Sequence, residues 1–599
     1  MTVLSAFSAL FCEEQPAKNG DVVVAVDFGA SRSAVAYTLV GDENEPVNVL
    51  RLSGADSCVH GGLKTSTSVL IEDGRVRSFG VKAEELFAEC DRPSDPTWML
   101  FKWFKMKLHE PFEEDPFVEC CGGGASLRFS DILQMCLGFV KDNVLKQLAS
   151  VGVYQNGDPT ELFWVLTIPA IWTERAKPVM RMAAFQAGLI SSEQSCHLHL
   201  ALEPECAAIA AQTDPCQKRL WKTGSKFLMA DCGAGTLDIT AHQVVQTSPL
   251  RLKESAKPVG GPLGSMLVDR NFLEFMKSLV GREVFERFER DEPGEYIALL
   301  KEWEEKKVRF GFDELDDAWT KLNVVSAISA MEGERDFALL IDGWNAAHPT
   351  KVVESLKSRK MKLSLSFELM KSFFEAPVAS VVEKIGEAAG KCNGLEYVVL
   401  SGGFANCAFL QERVRQRFAG TCVEVVVANE PDLAIVRGAT MFGARPMDIV
   451  VSRKSKYTFG VNSTAVYSDA VIEHRRHRDK TVVRDGKEVL DFFSVHGRVG
   501  DDLDVTKRRK RLYMPLTPEQ TVTKIQILVT GNYNVFHIDE VGVRELASIE
   551  IPCNMSLPFQ DRKMFVEFSF GGTEVRCYVF DASGEREIGT VPIQFNFYH

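Results

Sequence analysis

The sequence predicts an α/β protein with two related halves, followed by a small antiparallel β-domain. Across residues 21–446, apolar strand-like runs alternate with amphipathic helical segments, which is typical of α/β folds. The arrangement of VVVAVDFGASRSAVAY (22–37) is repeated in FLMADCGAGTLDITAH (227–242), and this repeat indicates the related halves. After residue 451 the pattern changes to short alternating strands separated by turn residues, and we expect no helix there.

Composition sets the broad class of the protein. A chain of 599 residues is too long for one hydrophobic core, and its net charge of −13 argues against a general nucleic-acid binder. Local phosphate binding stays open, because backbone N–H groups can hold an anion. The 15 cysteines are scattered without a C-x-x-C pair, so we expect thiols in a reducing compartment. No apolar run approaches the ~18 residues of a membrane span, and residues 1–20 are predicted to be a tail.

Three segments predict individual elements near the repeat. FWVLTIPAIW (163–172) should be a buried strand that Pro169 ends, with a helix over about 174–189 behind it. LHLAL (198–202) should be a strand leading into a helix, with Glu203 at the junction and Pro204 in the first turn. The amphipathic segment 367–385 should be a helix that Pro377 bends or splits.

Each repeated stretch predicts a β-hairpin with a carboxylate at the end of its buried first strand. Asp27 and Asp231 take these positions, and a buried carboxylate is costly unless a cation or hydrogen-bond donors face it. Gly29 in one turn, and Gly233 and Gly235 in the other, would free the backbone to aim its N–H groups at an anion. We therefore expect a polyphosphate between the turns, with Mg²⁺ held through water by the two aspartates. Two unrelated hairpins with capped aspartates are the alternative.

A third, glycine-rich connection supports the pair of hairpins. In YVVLSGGFANCAFLQERVRQRF (397–418), a buried strand leads through Gly402 and Gly403 into a helix. These glycines would let the backbone approach a ligand at the helix N-terminus, and a plain strand–helix connection is the alternative. Neither the P-loop pattern nor a G-x-S-x-G elbow occurs, so two other common kinds of site are excluded.

These motifs as a set resemble a known superfamily. VDFGASRS, DCGAGTLD and LSGGFAN resemble the phosphate-1, phosphate-2 and adenosine motifs of the actin/hexokinase/heat-shock ATPases. TIPAIW and ALEPECAAIAA resemble a segment of the DnaK-type 70-kDa heat-shock family, and VGGPLGSMLVD and ANEPDLAIVRGATMFG are similar to its divergent twelfth-member subfamily. The resemblance covers about residues 21–599 and implies a duplicated actin-like (ribonuclease-H-like) bilobal ATPase domain at 21–446. Lobe I would be about 21–220 plus 430–446, lobe II about 221–429, and 447–599 a β-rich partner-binding domain.

The resemblance also implies the ligands, ATP or ADP with Mg²⁺, and the residues that hold them. Asp27 and Asp231 would organise the Mg²⁺ ion. The residues that would contact the nucleotide are Gly29, Ala30, Ser31 and Arg32 in the first turn, Gly233, Ala234, Gly235 and Thr236 in the second, Gly260 and Gly261 in lobe II, Glu304 and Lys307 on the adenosine-binding helix, and Gly402, Gly403, Phe404 and Asp432 around the adenosine and α-phosphate.

Two further residues complete the implied catalytic set. Glu203 matches the glutamate near the attacking water, and a carboxylate that only interacts with its helix dipole is the alternative. Lys105, in FKWFKMKLH, best fits the lysine that steadies the γ-phosphate. Lys102 and Lys107 are alternatives, as is a plain surface role for Lys105.

Departures from the family pattern bear on activity. Ala30 and Ser31 stand where the family usually has two threonines, so one hydroxyl near the metal water is lost. Arg32 replaces an aromatic residue, and Ala234 adds a methyl group to the second phosphate turn. We therefore expect ATP binding with slow hydrolysis.

The resemblance implies a chaperone-like ATPase that couples its nucleotide state to binding of a client polypeptide or a regulatory partner, with co-chaperones as further partners. A nucleotide-binding regulatory scaffold with negligible hydrolysis is the alternative, because the helical lid and leucine-rich linker of true chaperones are not found. A small-molecule kinase on the same fold is a third hypothesis, but the sequence shows no convincing set of residues that would bind a sugar. We expect a cytoplasmic protein, and the basic cluster KRRKR (507–511) leaves nuclear import as an alternative to solvated surface charge.

Overall fold

The structure is a computed structural model. It describes residues 17–41, 46–52, 63–89, 97–109, 115–172, 176–211, 217, 222–248, 250–311, 319–323, 337–356, 362–445, 449–484, 486–505, 507–570, 575–581 and 587–592. Residues 1–16 of the predicted tail, residues 174–175 at the start of one predicted helix and residues 446–448 before the β-domain lie outside the described residues.

Strands form the larger part of the regular structure. Those before residue 270 are β1 (Val22–Phe28), β2 (Arg32–Leu39), β3 (Asn48–Leu50), β4 (Thr65–Ser66), β5 (Ser68–Glu72), β6 (Arg75–Phe79), β7 (Trp98–Lys102), β8 (Phe117–Glu119), β9 (Ser126–Arg128), β10 (Phe163–Ile168), β11 (Leu198–Leu202), β12 (Lys226–Cys232), β13 (Leu237–Thr247) and β14 (Leu250–Gly261). Those after it are β15 (Trp319–Leu322), β16 (Val353–Leu356), β17 (Lys362–Ser366), β18 (Tyr397–Ser401), β19 (Glu424–Val427), β20 (Val450–Lys454), β21 (Thr458–Val466), β22 (Val482–Arg484), β23 (Lys487–Gly497), β24 (Asp502–Asp504), β25 (Arg509–Tyr513), β26 (Val522–Thr530), β27 (Arg544–Pro552), β28 (Met564–Ser569), β29 (Arg576–Phe580) and β30 (Glu587–Pro592).

Helices lie mainly between residues 81 and 444. They are α1 (Val81–Ala88), α2 (Phe129–Ser150), α3 (Ala176–Gln186), α4 (Glu203–Ala211), α5 (Met266–Val280), α6 (Arg282–Asp291), α7 (Pro293–Arg309), α8 (Phe337–Ala347), α9 (Phe367–Gly390), α10 (Ala408–Phe418), α11 (Ala434–Ala444) and α12 (Ile472–Arg476). Among the residues that the structure describes, no helix combines the length and apolar character needed to cross a membrane.

Two sheets form the frame of the protein before the β-domain. The first has the order β11-β10-β1-β2-β3, with β4 beside β2, and the second has the order β19-β18-β12-β13-β14-β20-β24. In the first sheet, β1 pairs in parallel with β10 and antiparallel with β2. In the second, β12 pairs in parallel with β18 and antiparallel with β13. The predicted mixed α/β class is therefore confirmed, and both predicted hairpins are present.

The remaining strands of the body form smaller sheets beside this frame. These sheets are β6-β5-β7, β8-β9 and β15-β17-β16. The central strand β1 is buried along its whole length, as the continuous apolar run VVVAV predicts for a strand covered on both faces.

Helices α4 and α11 pack against each other and against the two sheets. Helix α11 lies on β1, β2 and β10 of the first sheet, whereas α4 contacts β12 and β13 of the second. Their small residues, including Ala207, Ala208 and Ala439, are buried in one shared core. The two helices therefore join the sheets and set the distance between them.

The predictions for β10 and for the start of α4 are confirmed, whereas the split that was one of two expectations at Pro377 does not occur. Strand β10 ends at Ile168, just before Pro169, and helix α4 begins at Glu203 as expected. Pro377 does not split its helix, because α9 runs unbroken through it from Phe367 to Gly390. Buried residues on both sides of the proline, including Phe374 and Val378, hold the helix against the core, and this packing outweighs the lost hydrogen bond.

The C-terminal β-domain consists of two antiparallel sheets packed around one core. Their orders are β22-β23-β21-β26-β27 and β25-β28-β29-β30. The expectation of no helix after residue 446 is wrong, because α12 lies between β21 and β22. This helix is too short to show a helical period in the sequence, and it is held by the buried His474, whose ring lies 6.2 Å from that of Phe536.

The described cysteines are free thiols, as expected, with the exception of Cys196. Cysteines such as Cys136, Cys206 and Cys577 are buried free thiols, but Cys196 is disulfide-bonded.

In the basic cluster at residues 507–511, Lys507 pairs with Asp504 at 2.8 Å and Lys510 with Glu567 at 3.2 Å. At least part of this positive charge is therefore matched by acidic neighbours on the surface.

The second sheet continues into the C-terminal part of the chain. Strand β20 pairs in parallel with β14, and the Arg453 guanidinium lies 2.7 Å from the Glu205 carboxylate of α4. The backbone N–H of Lys454 donates to Glu254 Oε2 at 2.7 Å, and Lys456 Nζ donates to the Ala170 carbonyl oxygen at 3.0 Å. Strand β14 of the second sheet and the start of α4 thus both contact the short segment 450–456.

We expect a Glu254→Gln variant to lose part of the pH dependence of stability. Burial, together with repulsion by Glu205, raises the pKa of Glu254 from 4.5 to about 7. Between about pH 4.5 and pH 7 the Glu254 carboxyl keeps its proton in the folded protein and loses it in the unfolded chain. The free energy of unfolding therefore falls as pH rises through this range, by up to ~3 kcal/mol. Urea unfolding at pH 5 and pH 8 measures the difference, and the variant should gain stability relative to wild type at pH 8. Equal pH dependence in both proteins would contradict the assignment.

Candidate functional site

The carboxyl ends of β1 and β12 open onto one cleft. Both strands end there beside a parallel neighbour, β10 or β18, and the carboxyl ends of parallel strands are a common place for a small-molecule site in α/β proteins. Its lining residues are Asp27, Gly29, Ala30, Ser31, Arg32, Lys64, Lys105, Pro169, Glu203, Asp231, Gly233, Ala234, Gly235, Thr236, Ser265, Glu304, Lys307, Val308, Phe374, Gly402, Gly403, Phe404, Asn406, Cys407, Asp432 and Ile435.

The structure brings the predicted site residues together in this cleft, apart from Gly260 and Gly261. These two glycines lie at the end of β14, opposite Asp238 and Leu237 of β13. A Cβ atom at Gly260 would meet the Leu237 carbonyl oxygen, so close approach of the two strands accounts for this glycine. The ligand-binding roles of the residues that do line the cleft stay predictions.

Thr67 holds the first turn (residues 29–32) from one side. Its backbone N–H donates to the Ser31 carbonyl oxygen at 2.8 Å, and its hydroxyl donates to the Gly29 carbonyl oxygen at 2.9 Å. The C=O and the following N–H of a trans peptide point in opposite directions. The N–H groups of Ala30 and Arg32 therefore point away from Thr67, and both residues line the cleft, where such groups can bind an anion.

The second turn (residues 233–236) is held in the same way by the start of α5. The N–H groups of Ser265 and Met266 donate to the carbonyl oxygens of Gly233 and Ala234, at 3.2 and 2.9 Å. The N–H groups that follow, on Ala234 and Gly235, point away from α5 by the same geometric rule. Both turns line the same cleft, where backbone donors of this kind can bind an anion.

The carboxylates near the ends of β1 and β12 have few positively charged partners. Burial, followed by repulsion from Glu203, Asp238 and Asp27, raises the pKa of Asp231 well above its usual range. The buried Asp231 Oδ1 and Asp238 Oδ2 atoms have no hydrogen-bond partner among the described residues. Such buried orphan oxygens are costly unless a further donor or cation reaches them.

The donor set fits a divalent cation held through water. Within the described residues, no three potential ligands are grouped closely enough to cage a metal ion. Mg²⁺ keeps several waters and commonly takes only one or two carboxylates plus phosphate oxygens, which suits Asp231 with its orphan oxygen. The carboxylates near this end outnumber the ammonium groups that face them, since Asp27, Glu203, Asp231 and Asp238 interact with Lys64 and Lys105.

Glu203 and Lys105 meet at this end of the cleft. Glu203 is the first residue of α4, and its Oε1 accepts from Lys105 Nζ at 3.1 Å. Both side chains are buried, and burial raises the pKa of Glu203 even though Lys105 opposes the shift. Of the three lysines considered from the sequence, Lys105 is the one that lines the cleft, whereas Lys102 pairs with Glu84 at 2.7 Å outside it.

Lys64 is a site residue that sequence analysis missed. Its Nζ donates to Asp27 Oδ2 at 2.6 Å, and Thr167 donates to the other oxygen, Oδ1, at 3.2 Å. Burial alone would lower the pKa of Lys64, but Asp27, Asp432 and Asp231 raise it above the usual value, so the group is a cation. The sequence offers only one signal for Lys64, namely a lysine at the start of the strand-forming segment KTSTS. A single lysine in such a segment does not indicate an ion pair with Asp27, 37 residues away.

A charged network covers the other side of the cleft. The Glu304 carboxylate of α7 lies 3.2 Å from Arg32 and 2.5 Å from Lys307, and Lys307 also pairs with Asp269 at 2.8 Å. Burial would raise the pKa of Glu304, but Lys307 and Arg32 hold it below its usual range. Trp303 Nε1 donates to Asp269 at 2.8 Å. Sequence analysis missed Asp269 of α5, whose partners Trp303 and Lys307 both lie on α7.

Gly402 closes the cleft beside Asp231. Its φ of +83° is the left-handed region that favours glycine, and a Cβ atom there would meet Asp231 Oδ1 and the Cys232 carbonyl oxygen. The Gly402 N–H donates to the Pro431 carbonyl oxygen at 2.9 Å, which places the neighbouring Asp432 at the cleft. The connection predicted from Gly402 and Gly403 and the residue Asp432 therefore meet here.

Comparisons with known proteins agree with the resemblance that the motifs indicate. No family model matches the chain. Heat shock 70 kDa protein 12A of Homo sapiens and of Mus musculus are each 27% identical to it, over 95% of this chain and 90% of their own length. Heat shock 70 kDa protein 12B of Homo sapiens is 27% identical over the same shares. This similarity over nearly the whole chain confirms the predicted resemblance to the divergent twelfth-member subfamily of the 70-kDa heat-shock proteins.

Proposed function

We propose that residues 21–446 form a duplicated, actin-like bilobal domain that binds ATP or ADP between its lobes. The five strands β11-β10-β1-β2-β3 and the five strands β19-β18-β12-β13-β14 have the same order and the same relative directions, which supports a duplication. Lobe I would be about 21–220 plus 430–446, because α11 returns to β1 and β10. Lobe II would be about 221–429, and 447–599 would be the partner-binding β-domain.

One observation is the main support for the proposal that the cleft binds a nucleotide. Asp27 and Asp231, at the ends of two equivalent strands, line one cleft together with both turns, and N–H groups of each turn point away from the segment that holds it. Such paired donors suit a polyphosphate, which offers oxygens on both sides. Adenosine would lie between the Arg32–Glu304–Lys307 network and the Gly402–Phe404 connection, where the lining is polar on one side and apolar on the other.

Asp231 and Asp27 would hold Mg²⁺ through water. Bound there, Mg²⁺ neutralises charge on the phosphate oxygens during phosphoryl transfer. Glu203 would orient the attacking water, and Lys105, only 3.1 Å from it, would steady the terminal phosphate while keeping Glu203 in place. Phosphoryl transfer depends mainly on positioning and charge, so these two side chains and the two turns would supply most of the catalysis.

Calorimetric titration with Mg-ATP, followed by a phosphate-release assay on the same sample, tests this proposal. We expect one binding site per chain and slow release of phosphate, with Asp231→Ala abolishing the release. Tripolyphosphate and adenosine, titrated separately, should each bind more weakly than ATP, because each uses one side of the cleft. Absence of heat with ATP and ADP at millimolar concentration would contradict the proposal.

A nucleotide-binding regulatory scaffold with negligible hydrolysis is the second candidate. The two turns approach each other closely, so that a Cβ atom at Gly235 would lie 3.0 Å from Ala30 Cβ and would also meet Met106 Sδ. This contact leaves little room for a terminal phosphate to move, and Ala30 offers no hydroxyl to it. Tight ATP binding without measurable phosphate release would favour this candidate.

We further propose that nucleotide state changes the binding of a client polypeptide or a regulatory partner to the β-domain. Exposed apolar side chains there, such as Met514, Leu516, Met555 and Leu557, offer contacts for a polypeptide. Arg562 links their two loops by donating to the Pro518 carbonyl oxygen and contacting Met555. Equal peptide affinity with ATP, with ADP and without nucleotide would contradict the coupling. Co-chaperone partners and a cytoplasmic location belong to the same proposal.

A further inference from the structure

We propose that Lys64 is a built-in counter-ion of the nucleotide site, whose ammonium group binds the polyphosphate and Asp27 together and lets nucleotide bind without a metal ion. This inference rests on the proposed function, since it concerns the same cleft. It assigns to the protein itself a positive charge that a bound cation would otherwise have to supply.

The ammonium group is placed to bind Asp27 and a ligand at the same time. A lysine offers three donors, and the described contacts of Lys64 use one of them, on Asp27 Oδ2 at 2.6 Å. The side chain is 12% exposed and lines the cleft, so a ligand in the cleft can reach it. An ammonium group in this position can donate to a phosphate oxygen without releasing Asp27.

The charges around Lys64 explain why a polyphosphate would need it. Asp27, Asp231 and Asp432 all lie near its ammonium group and line the same cleft. Without a cation between them, these carboxylates would repel an incoming polyphosphate in a space with little water to screen the charge. A fixed positive charge at Lys64 would therefore offset this repulsion and raise the affinity for a polyphosphate.

The backbone around Lys64 is tied to the first turn. Strand β4 pairs Thr65 and Ser66 with β2, and Thr67 donates to both Ser31 and Gly29 in the first turn. The Thr65 hydroxyl also accepts from the N–H of Val81 at 3.0 Å. These contacts fix the start of the Lys64 side chain relative to the turn, so little entropy is lost when the ammonium group binds a ligand.

ADP titration with Mg²⁺ and with EDTA tests the inference. Wild type should bind ADP in EDTA with an affinity within about tenfold of that in Mg²⁺. Lys64→Ala should bind about ten- to hundredfold more weakly than wild type in EDTA, because a charge-assisted contact is lost. Added methylammonium should restore part of the affinity of Lys64→Ala, and Lys64→Arg should retain most of it.

Lys102→Ala is the matched control. Lys102 is also a buried lysine in a close ion pair, 2.7 Å from Glu84, but it does not line the cleft. Its replacement should leave the EDTA sensitivity of ADP binding at the wild-type level, and thermal unfolding of all variants checks that they are folded. If Lys64→Ala does not fold, Lys64→Gln, which keeps most of the side-chain length and removes the charge, takes its place in the same titrations.

The outcomes separate the two proposals. Wild type that binds ADP in neither buffer would overturn nucleotide binding itself. Wild type that binds only with Mg²⁺, or a Lys64→Ala protein as insensitive to EDTA as wild type, would overturn the role of Lys64 and leave nucleotide binding standing.

Discussion

Replacing Glu203 by Gln is expected to slow phosphate release at saturating Mg-ATP by about a hundredfold or more, while the affinity for ATP changes by less than about tenfold. Gln has the same shape and can still accept from Lys105, but it removes the carboxylate that would orient the attacking water. The expected loss is therefore in turnover and not in binding. Single-turnover phosphate release and calorimetry on the same variant measure the two quantities separately.

Glu205→Gln provides a control for this prediction. Glu205 lies two residues further along the first turn of α4 and is also buried, but it points to Arg453, 2.7 Å away, and does not line the cleft. Its replacement should reduce the stability of the contact with β20 and leave turnover close to wild type. Turnover slowed equally in both variants would show that the effect comes from α4 as a whole and would contradict the role of Glu203.

Much of the candidate site could be predicted because its residues lie in short local patterns. Asp27 and Asp231 each follow a run of buried strand residues and precede a glycine turn, and that pattern places both at strand ends before any tertiary contact is known. Glu203 is similar, because a strand, a carboxylate and a proline in sequence predict a helix start.

The rest of the site depends on contacts between distant segments. Lys64 reaches Asp27 only because β4 pairs with β2, and a strand of two residues has no detectable period. Asp269 on one helix meets Lys307 on another, and β20 pairs with β14, a strand that ends far earlier in the chain, at Gly261. Local propensity also fails at Pro377, where packing overrides a helix-breaking residue.

A Gly438→Ala variant is expected to lose about 3 kcal/mol of stability, which is large for the addition of one methyl group. Gly438 lies in α11 where this helix crosses α4, and a Cβ atom there would meet the Cys206 carbonyl oxygen, which is backbone and cannot rotate away. The helices would have to separate, and since they join the two sheets, the cleft would change with them. Urea unfolding and ADP titration should therefore both be affected.

Gly138→Ala is the matched control, because the same substitution there has the opposite expected sign. Gly138 lies within α2, and a Cβ atom at this position has nothing within 4 Å. Alanine is the better helix former by roughly 0.5–1 kcal/mol, so Gly138→Ala should stabilise the protein slightly and leave ADP binding unchanged. Stability lost equally in both variants would mean that the crossing of α4 and α11 is not the cause. A stable Gly438→Ala protein with wild-type ADP affinity would show that the helices can separate at little cost, and the rigid spacing of the two sheets would then have to come from elsewhere.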